Sequence, residues 1–383
     1  MSGAFNTNTY TNVFKELGKS DTEINARLNE VFNEIFFGEE KIYFYNGDTG
    51  YVVDTGNNDV RTEGMSYAMM AFLQMDRKAD FDRIWKWSKT YMYLTEGENK
   101  GYFAWSVLKS GEKNSNGPAP DGEEYFALAL FFASAKWGDG EGIFNYSLEA
   151  KNLLRDCVHK GSEGYKNGGN PMWNPENKLI KFVPGWEFSD PSYHLPHFYE
   201  IFALKAYEED RGFWKEAAKA SREFLKKVCH HITGLSPEYA DYDGNPCERP
   251  DGVKDNHPGH DKFYSDSYRT AANIGLDCVW YNADEQLYQA ADNIQKFFAE
   301  LPEENQNKVY ETDGTVIDTP ALHPVGLLAT NAQASLAAKG QYRLTFAERF
   351  WNTPPRKGER RYYDNFLYIF AFLALSGNYK IYI

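Results

Sequence analysis

Three acids stand where loop-like sequence gives way to an apolar helical run. Glu63 lies in Arg61-Thr-Glu-Gly-Met-Ser-Tyr-Ala-Met-Met70, Asp121 in Asp121-Gly-Glu-Glu-Tyr-Phe-Ala-Leu-Ala-Leu130, and Asp266 in Ser265-Asp-Ser-Tyr-Arg269. An acid at the mouth of a helix has two uses. It complements the positive end of the helix dipole, or, in a partly apolar cleft, desolvation raises its pKa and it serves as a general acid. Glu63, followed by Gly64 and a run of methionines, fits both. Asp266 and Arg269 are three residues apart and share a helix face. The guanidinium can then keep Asp266 ionised, as a general base requires. Other apolar runs also begin with polar or aromatic groups: Tyr193 and His194, His323, and Tyr362 with Tyr363. Two carboxylic acids in an aromatic cleft, without a metal or cofactor signature, fit hydrolysis of a glycosidic bond. One acid protonates the leaving oxygen; the other activates water or attacks directly. On this reading Glu63 is the acid and Asp266 the base, while Asp121 binds the sugar or supports the site.

Helices must position these groups. Ser20-Asp-Thr-Glu23 is a capping box that opens the first, and Gly38 stops it. The second runs from Glu63 to about Met75, the third from Ala79 to about Thr95, and the fourth from Asp121 to Gly138. Tyr146 to His159 is the fifth, Ser189-Asp-Pro-Ser-Tyr-His-Leu-Pro-His197 leads the sixth, and Trp214 to Val228 is the seventh. Ser265 opens the eighth and Glu285 to Leu301 is the ninth. Leu322-His-Pro-Val-Gly326 leads the tenth, Tyr342 to Trp351 is the eleventh, and Arg360-Arg-Tyr-Tyr-Asp364 leads a twelfth that ends at Gly377. Residues 39–60 and 234–264 read as long loops. The even-numbered runs are apolar around most of their circumference and the odd-numbered ones carry Lys and Glu stripes, so the first set belongs inside and the second outside. Six helical hairpins in one chain suggest an all-α closed barrel with two rings, read as a single domain over 1–383; a two-domain or solenoid arrangement stays open. In a barrel, the mouths of the inner helices share one rim and their polar groups line one cleft.

Composition narrows the partners. The chain of 383 residues has a net charge of −14, which argues against nucleic acid and anionic membranes. Aromatics make up 16%, an excess that suits stacking on sugar rings as well as core packing. No apolar run approaches a membrane span, and Met1 to Asn12 lacks a hydrophobic signal core. Cys157, Cys229, Cys247 and Cys278 show no zinc spacing. Three of them lie in helical patterns and read as small buried side chains. Free thiols, a cytoplasmic location and a monomer are expected.

Glu63-Gly64-Met-Ser-Tyr67, Pro120-Asp121-Gly-Glu123, Asp190-Pro-Ser-Tyr193, Tyr264-Ser-Asp266-Ser-Tyr-Arg269 and Tyr362-Tyr-Asp364, in this order, resemble the motifs of glycoside hydrolase family 8. The resemblance implies an (α/α)6 barrel of inverting enzymes acting on xylan, β-1,4-glucan or chitosan, with no cofactor. It implies Glu63 as general acid, Asp266 as base, Tyr193 holding the attacking water and Asp121 binding the sugar at subsite −1. Trp105, Arg269 and Tyr363 look like stacking or hydrogen-bonding residues of the cleft. Leu322-His323-Pro324 resembles the loop of those members that release xylose from the reducing end of xylo-oligosaccharides. There the loop closes the cleft beyond subsite +1, and the histidine contacts the reducing-end sugar. Alternatively, His323-Pro324 only starts a helix, with Pro in its first turn. Residues 251–262, with His257-Pro-Gly-His260-Asp261, form a longer loop than the resemblance implies.

Rival readings are an endo-β-1,4-xylanase of the same family, a sugar isomerase or epimerase working through histidines, and a non-catalytic oligosaccharide-binding protein. The pairs His257-x-x-His260 and His194-x-x-His197 raise a metal site, but neither has a third-ligand pattern.

Overall fold

The structure, a computed structural model, describes residues 2–253 and 257–383. Among the described residues are twelve helices of nine residues or more. They are α1 (Asp21–Phe37), α2 (Thr62–Gln74), α3 (Lys78–Trp87), α4 (Pro120–Trp137), α5 (Tyr146–His159) and α6 (Pro196–Lys205). The second half supplies α7 (Arg211–Val228), α8 (Tyr268–Trp280), α9 (Glu285–Glu300), α10 (Pro324–Ala334), α11 (Arg343–Trp351) and α12 (Arg361–Leu375).

Apolar coverage decides which ring each helix joins. In α4 every residue from Pro120 to Ala133 is buried, and in α12 every residue from Tyr362 to Leu375. Helices without a polar face must be surrounded. α7 instead buries one stripe, Trp214, Ala217, Ala218, Ser221, Phe224, Leu225 and Val228. Each large apolar side chain of such a stripe contributes about 1.5–3 kcal/mol by leaving water. Each even-numbered helix packs beside the next, and α12 returns to α2, so the ring closes. The structure is an (α/α)6 barrel. Short turns join α2 to α3, α4 to α5, α6 to α7, α8 to α9 and α10 to α11. The sixth hairpin is assembled from opposite ends of the chain, α1 packing on α12. Its α1 begins with the capping box read in the sequence: Glu23 N–H donates to Ser20 Oγ at 3.3 Å and Ser20 N–H to Glu23 Oε2 at 2.8 Å. The far end of the barrel is sealed by both chain termini. Asn12 Nδ2 donates to the Ser376 carbonyl at 2.8 Å, and Trp280 Nε1 to the Tyr379 carbonyl at 3.1 Å.

Some elements differ from the sequence reading. α3 stops at Trp87 and continues only as a π turn, Ser88–Met92. Ser88 Oγ donates to the Ile84 carbonyl at 3.0 Å, a back-bond that competes with regular helix continuation. The long loops hold short antiparallel pairs: β1 (Tyr43–Asn46) with β2 (Thr49–Val52), β3 (Val60–Arg61) with β4 (Ser106–Val107), and β5 (Lys308–Tyr310) with β6 (Val316–Pro320). Of the cysteines, all free, Cys157 and Cys229 are buried and Cys278 is half-buried. Part of the long loop before Asp266, residues 254–256, lies outside the described residues.

A close approach of two inner helices depends on Gly275. A Cβ there would stand 2.4 Å from the Gln333 carbonyl oxygen, where α8 meets α10. Gly275→Ala is expected to destabilise the fold by about 1–3 kcal/mol through overpacking. Chemical denaturation checks this; an unchanged midpoint would show that the two helices can separate freely.

Candidate active site

All six inner-helix mouths open on one cleft of about 590 Å³, and each contributes a side chain: Glu63, Asp121, Tyr193, Asp266, His323 and Tyr363. Glu63 sits in the first turn of α2, just after β3. The β3–β4 pairing and the bond from Thr62 N–H to the Trp105 carbonyl, 3.0 Å, fix that turn. Asp121 lies in the first turn of α4, behind Pro120 at N1. Tyr193 ends the 3₁₀ turn Pro191–Tyr193 before α6, and Asp266 lies in the 3₁₀ turn Ser265–Ser267 before α8. His323 is the N-cap of α10.

Arg269, in the first turn of α8, gathers the acids. Its Nη1 stands 3.3 Å from Glu63 Oε2, 3.1 Å from Asp121 Oδ2 and 2.7 Å from the Tyr67 hydroxyl. Its Nη2 lies 3.5 Å from Asp266 Oδ2 and 3.9 Å from Asp190 Oδ2. The rings of Tyr193 and Tyr363 face the guanidinium at 5.5 and 5.8 Å. One positive charge thus serves four carboxylates. They do not share it equally, because they differ in exposure: the side chains of Glu63 and Asp266 are 16% and 36% exposed, and Asp190 is fully buried.

Burial pushes the Glu63 carboxyl up to about 8; Arg269 pulls against the rise, and Asp121 and Asp266 add to it. Burial lifts Asp121 to about 6, again opposed by Arg269. Asp190 is raised well above the ordinary range for the same reason. The Tyr362 hydroxyl donates to Glu63 Oε1 at 2.9 Å. That contact requires Gly64, since a Cβ there would meet the same hydroxyl at 2.4 Å. Glu63 is therefore a carboxylic acid that holds its proton at neutral pH, facing a partly exposed aspartate across one guanidinium.

The remaining expected residues line the same cleft. Trp105, 38% exposed, lies under the Arg61 guanidinium at 5.1 Å and offers a flat face to the cavity. His323 packs edge-on against Tyr363 at 4.8 Å, and its Nδ1 is 2.8 Å from Asp364 Oδ2. Asp364 also accepts from Gly326 N–H at 2.7 Å and from Arg356 at 2.6 Å. His194, expected at the mouth of α6, is instead buried between Ser189 and Ser221, 2.8 Å from each hydroxyl. His197, one turn on, packs on Phe198 and Trp280.

The sequence reading places Tyr362 at a helix mouth and Asp364 in the Tyr362-Tyr-Asp364 motif without a role for either, and it does not single out Glu238. Nothing local signals the contacts of Asp364 and Glu238, because their partners lie elsewhere in the sequence. Glu238, His257 and His260 bring donor atoms within 4.8 Å of one another. The two imidazoles are stacked at 4.0 Å and 15°. In this arrangement one nitrogen of each ring meets a single Glu238 oxygen, at 2.9 and 3.0 Å.

The Glu63 shift has a consequence for stability. Its ordinary value is 4.5 and its folded value about 8. Its contribution is fully present below 4.5 and is lost as pH rises toward 8. Glu63→Gln, which does not titrate, is expected to melt increasingly above the wild type as pH is raised from 5 to 9. A melting difference constant over that range would contradict the protonated acid.

The comparisons agree with the geometry. The profile of Glycosyl hydrolases family 8 matches residues 39–377. A reducing end xylose-releasing exo-oligoxylanase of Halalkalibacterium halodurans is 58% identical over 384 residues, 99% of this chain and 96% of that protein. The exo-oligoxylanase Rex8A of Paenibacillus barcinonensis is 54% identical over 383 residues, 99% of this chain and 98% of that protein. The structure of Rex8A complexed with xylose superposes with a TM-score of 0.94 at 53% identity, covering 100% of both chains. With these matches over a shared barrel and cleft, the chain belongs to glycosyl hydrolase family 8 and is a glycoside hydrolase.

Proposed function

We propose that the protein hydrolyses β-1,4-xylosidic bonds in xylo-oligosaccharides and releases xylose from the reducing end, with inversion at the anomeric carbon. The names of its most similar relatives support the substrate and the exo action. The observation that carries the mechanism is the asymmetry of the acid pair. Glu63, 16% exposed, holds its proton up to about pH 8, while Asp266 is 36% exposed, and both stand on the Arg269 guanidinium. Glu63 delivers its proton to the glycosidic oxygen as the bond breaks. Asp266 takes a proton from the water that attacks the opposite face.

Asp121, bonded to Arg269, binds the sugar at subsite −1, and Tyr193 orients the water. Trp105 is a stacking platform, and Arg269 and Tyr363 complete the cleft wall. On the plus side, Leu322 and His323 line the end of the cavity. With Nδ1 engaged by Asp364, His323 presents Nε2 to the reducing-end hydroxyl. The same reading takes residues 1–383 as one catalytic domain, acting without cofactor as a cytoplasmic monomer.

Xylotriose and its borohydride-reduced alditol test this directly. Xylotriose is expected to give xylose and xylobiose and the alditol to survive, with the new reducing end appearing first as the α-anomer by proton NMR. Glu63→Gln and Asp266→Asn should each lower kcat by about 10²–10⁴-fold. Equal cleavage of the alditol would move the enzyme to endo or non-reducing-end action, a first-formed β-anomer would exclude inversion, and full activity of either variant would remove that residue from its role.

A further inference from the structure

Asp266 is presented by strained backbone. Ser265, directly before it, has φ +36°, in the left-handed region that a non-glycine residue avoids. Such a residue costs about 1–3 kcal/mol and persists only when its surroundings hold it. Several contacts hold this one. Ser267 Oγ accepts from Tyr264 N–H and donates to the Tyr264 carbonyl, both at 2.9 Å, and the Tyr363 hydroxyl donates to the Ser265 carbonyl at 3.4 Å. The base's own N–H donates to Glu238 Oε1 at 3.2 Å.

Glu238 is buried, remote in sequence, and takes no part in the chemistry described above. Its second oxygen, Oε2, meets His257 Nε2 at 2.9 Å and His260 Nδ1 at 3.0 Å. His260 stacks on Tyr239 at 4.2 Å and 10°, so Tyr239, His260 and His257 form one column of parallel rings along the cleft wall. The backbone fixes the column as well. Glu238 N–H donates to the Lys262 carbonyl at 3.0 Å, and Tyr239 N–H to the His260 carbonyl at 2.8 Å. A buried carboxylate is costly unless its lone pairs are satisfied, and here both oxygens are bound by N–H groups on different sides.

We infer that Glu238 is a positioning residue for Asp266: braced by His257 and His260, its carboxylate fixes the turn that points the base at the cleft. The inference rests on the assignment of Asp266 as base. It gives residues 257–262 a task, since this stretch carries both histidines. The carboxylate acts through the backbone amide, so its loss leaves the substrate contacts in place and displaces only the reacting group. A displacement of about 1 Å at a reacting group lowers turnover on the order of 100-fold.

Steady-state kinetics on xylotriose, with amide hydrogen exchange of Asp266, test it. Glu238→Ala should lower kcat about 10- to 100-fold while KM stays within about threefold of wild type. Glu238→Gln, whose amide oxygen still accepts from Asp266 N–H, should recover most of the rate. The Asp266 amide should exchange faster in the alanine variant than in wild type. Wild-type kcat in Glu238→Ala, a change in KM alone, or a glutamine variant as slow as the alanine one would overturn the proposal. If the alanine variant does not fold, His257→Ala replaces it, with a smaller loss of kcat expected and an unchanged kcat overturning. If Asp266→Asn itself keeps full activity, the base assignment fails separately. Amide exchange then decides alone, faster exchange sustaining the positioning role and unchanged exchange overturning it.

Discussion

One guanidinium organises this molecule's chemistry. Arg269 is surrounded by Glu63, Asp121, Asp190 and Asp266, and is faced by two tyrosine rings. A single positive charge cannot compensate four carboxylates inside a protein. Burial raises Glu63, Asp121 and Asp190 while Arg269 opposes the rise, leaving Glu63 near 8 and Asp121 near 6. The arrangement is also demanding. A buried charge cluster tolerates little loss of geometry, because a partner removed leaves others uncompensated. The barrel supplies that geometry by bringing the mouths of six inner helices to one rim, five of them set by a strand, a proline or a 3₁₀ turn at the helix start.

Much of this was legible in the sequence, for a physical reason. An inner helix is apolar nearly all round, so a polar residue at its start is conspicuous, and Glu63, Asp121, Asp266, His323 and Tyr363 could each be picked out from one local window. The ring assignment followed from the same contrast, since α4 and α12 lack any polar face while α7 has a clear one. Local windows failed where the function of a side chain depends on a remote partner. Nothing around Asp364 signals that it orients His323 and meets Arg356, and nothing around Glu238 signals the amide of Asp266. His194 misled for the opposite reason: its place before α6 resembles a mouth position, yet the turn at Pro191–Tyr193 directs it inward to Ser189 and Ser221.

The histidines also bear on the rival chemistry. An isomerase-like mechanism needs an imidazole that is free to exchange protons at the reacting carbon. In the cleft, His323 is tied to Asp364, and His257 and His260 are tied to Glu238. Each ring is oriented by a carboxylate, an arrangement that also serves acid–base histidines, so the distinction rests on the acids, where Glu63 and Asp266 are joined across the cavity by Arg269. Affiliation with a glycoside hydrolase family and the raised acid Glu63 beside the more exposed Asp266 support the proposed proton transfer from Glu63.

The central claim is that Glu63 carries its proton at neutral pH although a guanidinium stands beside it. Isotope-edited infrared spectroscopy of the enzyme, differenced against Glu63→Gln, reads that proton directly. The account predicts a protonated carboxyl band at pH 7 that belongs to Glu63 and titrates away near pH 8. A Glu63 carboxylate already ionised at pH 6 would contradict it, and would show that Arg269 outweighs burial at this site.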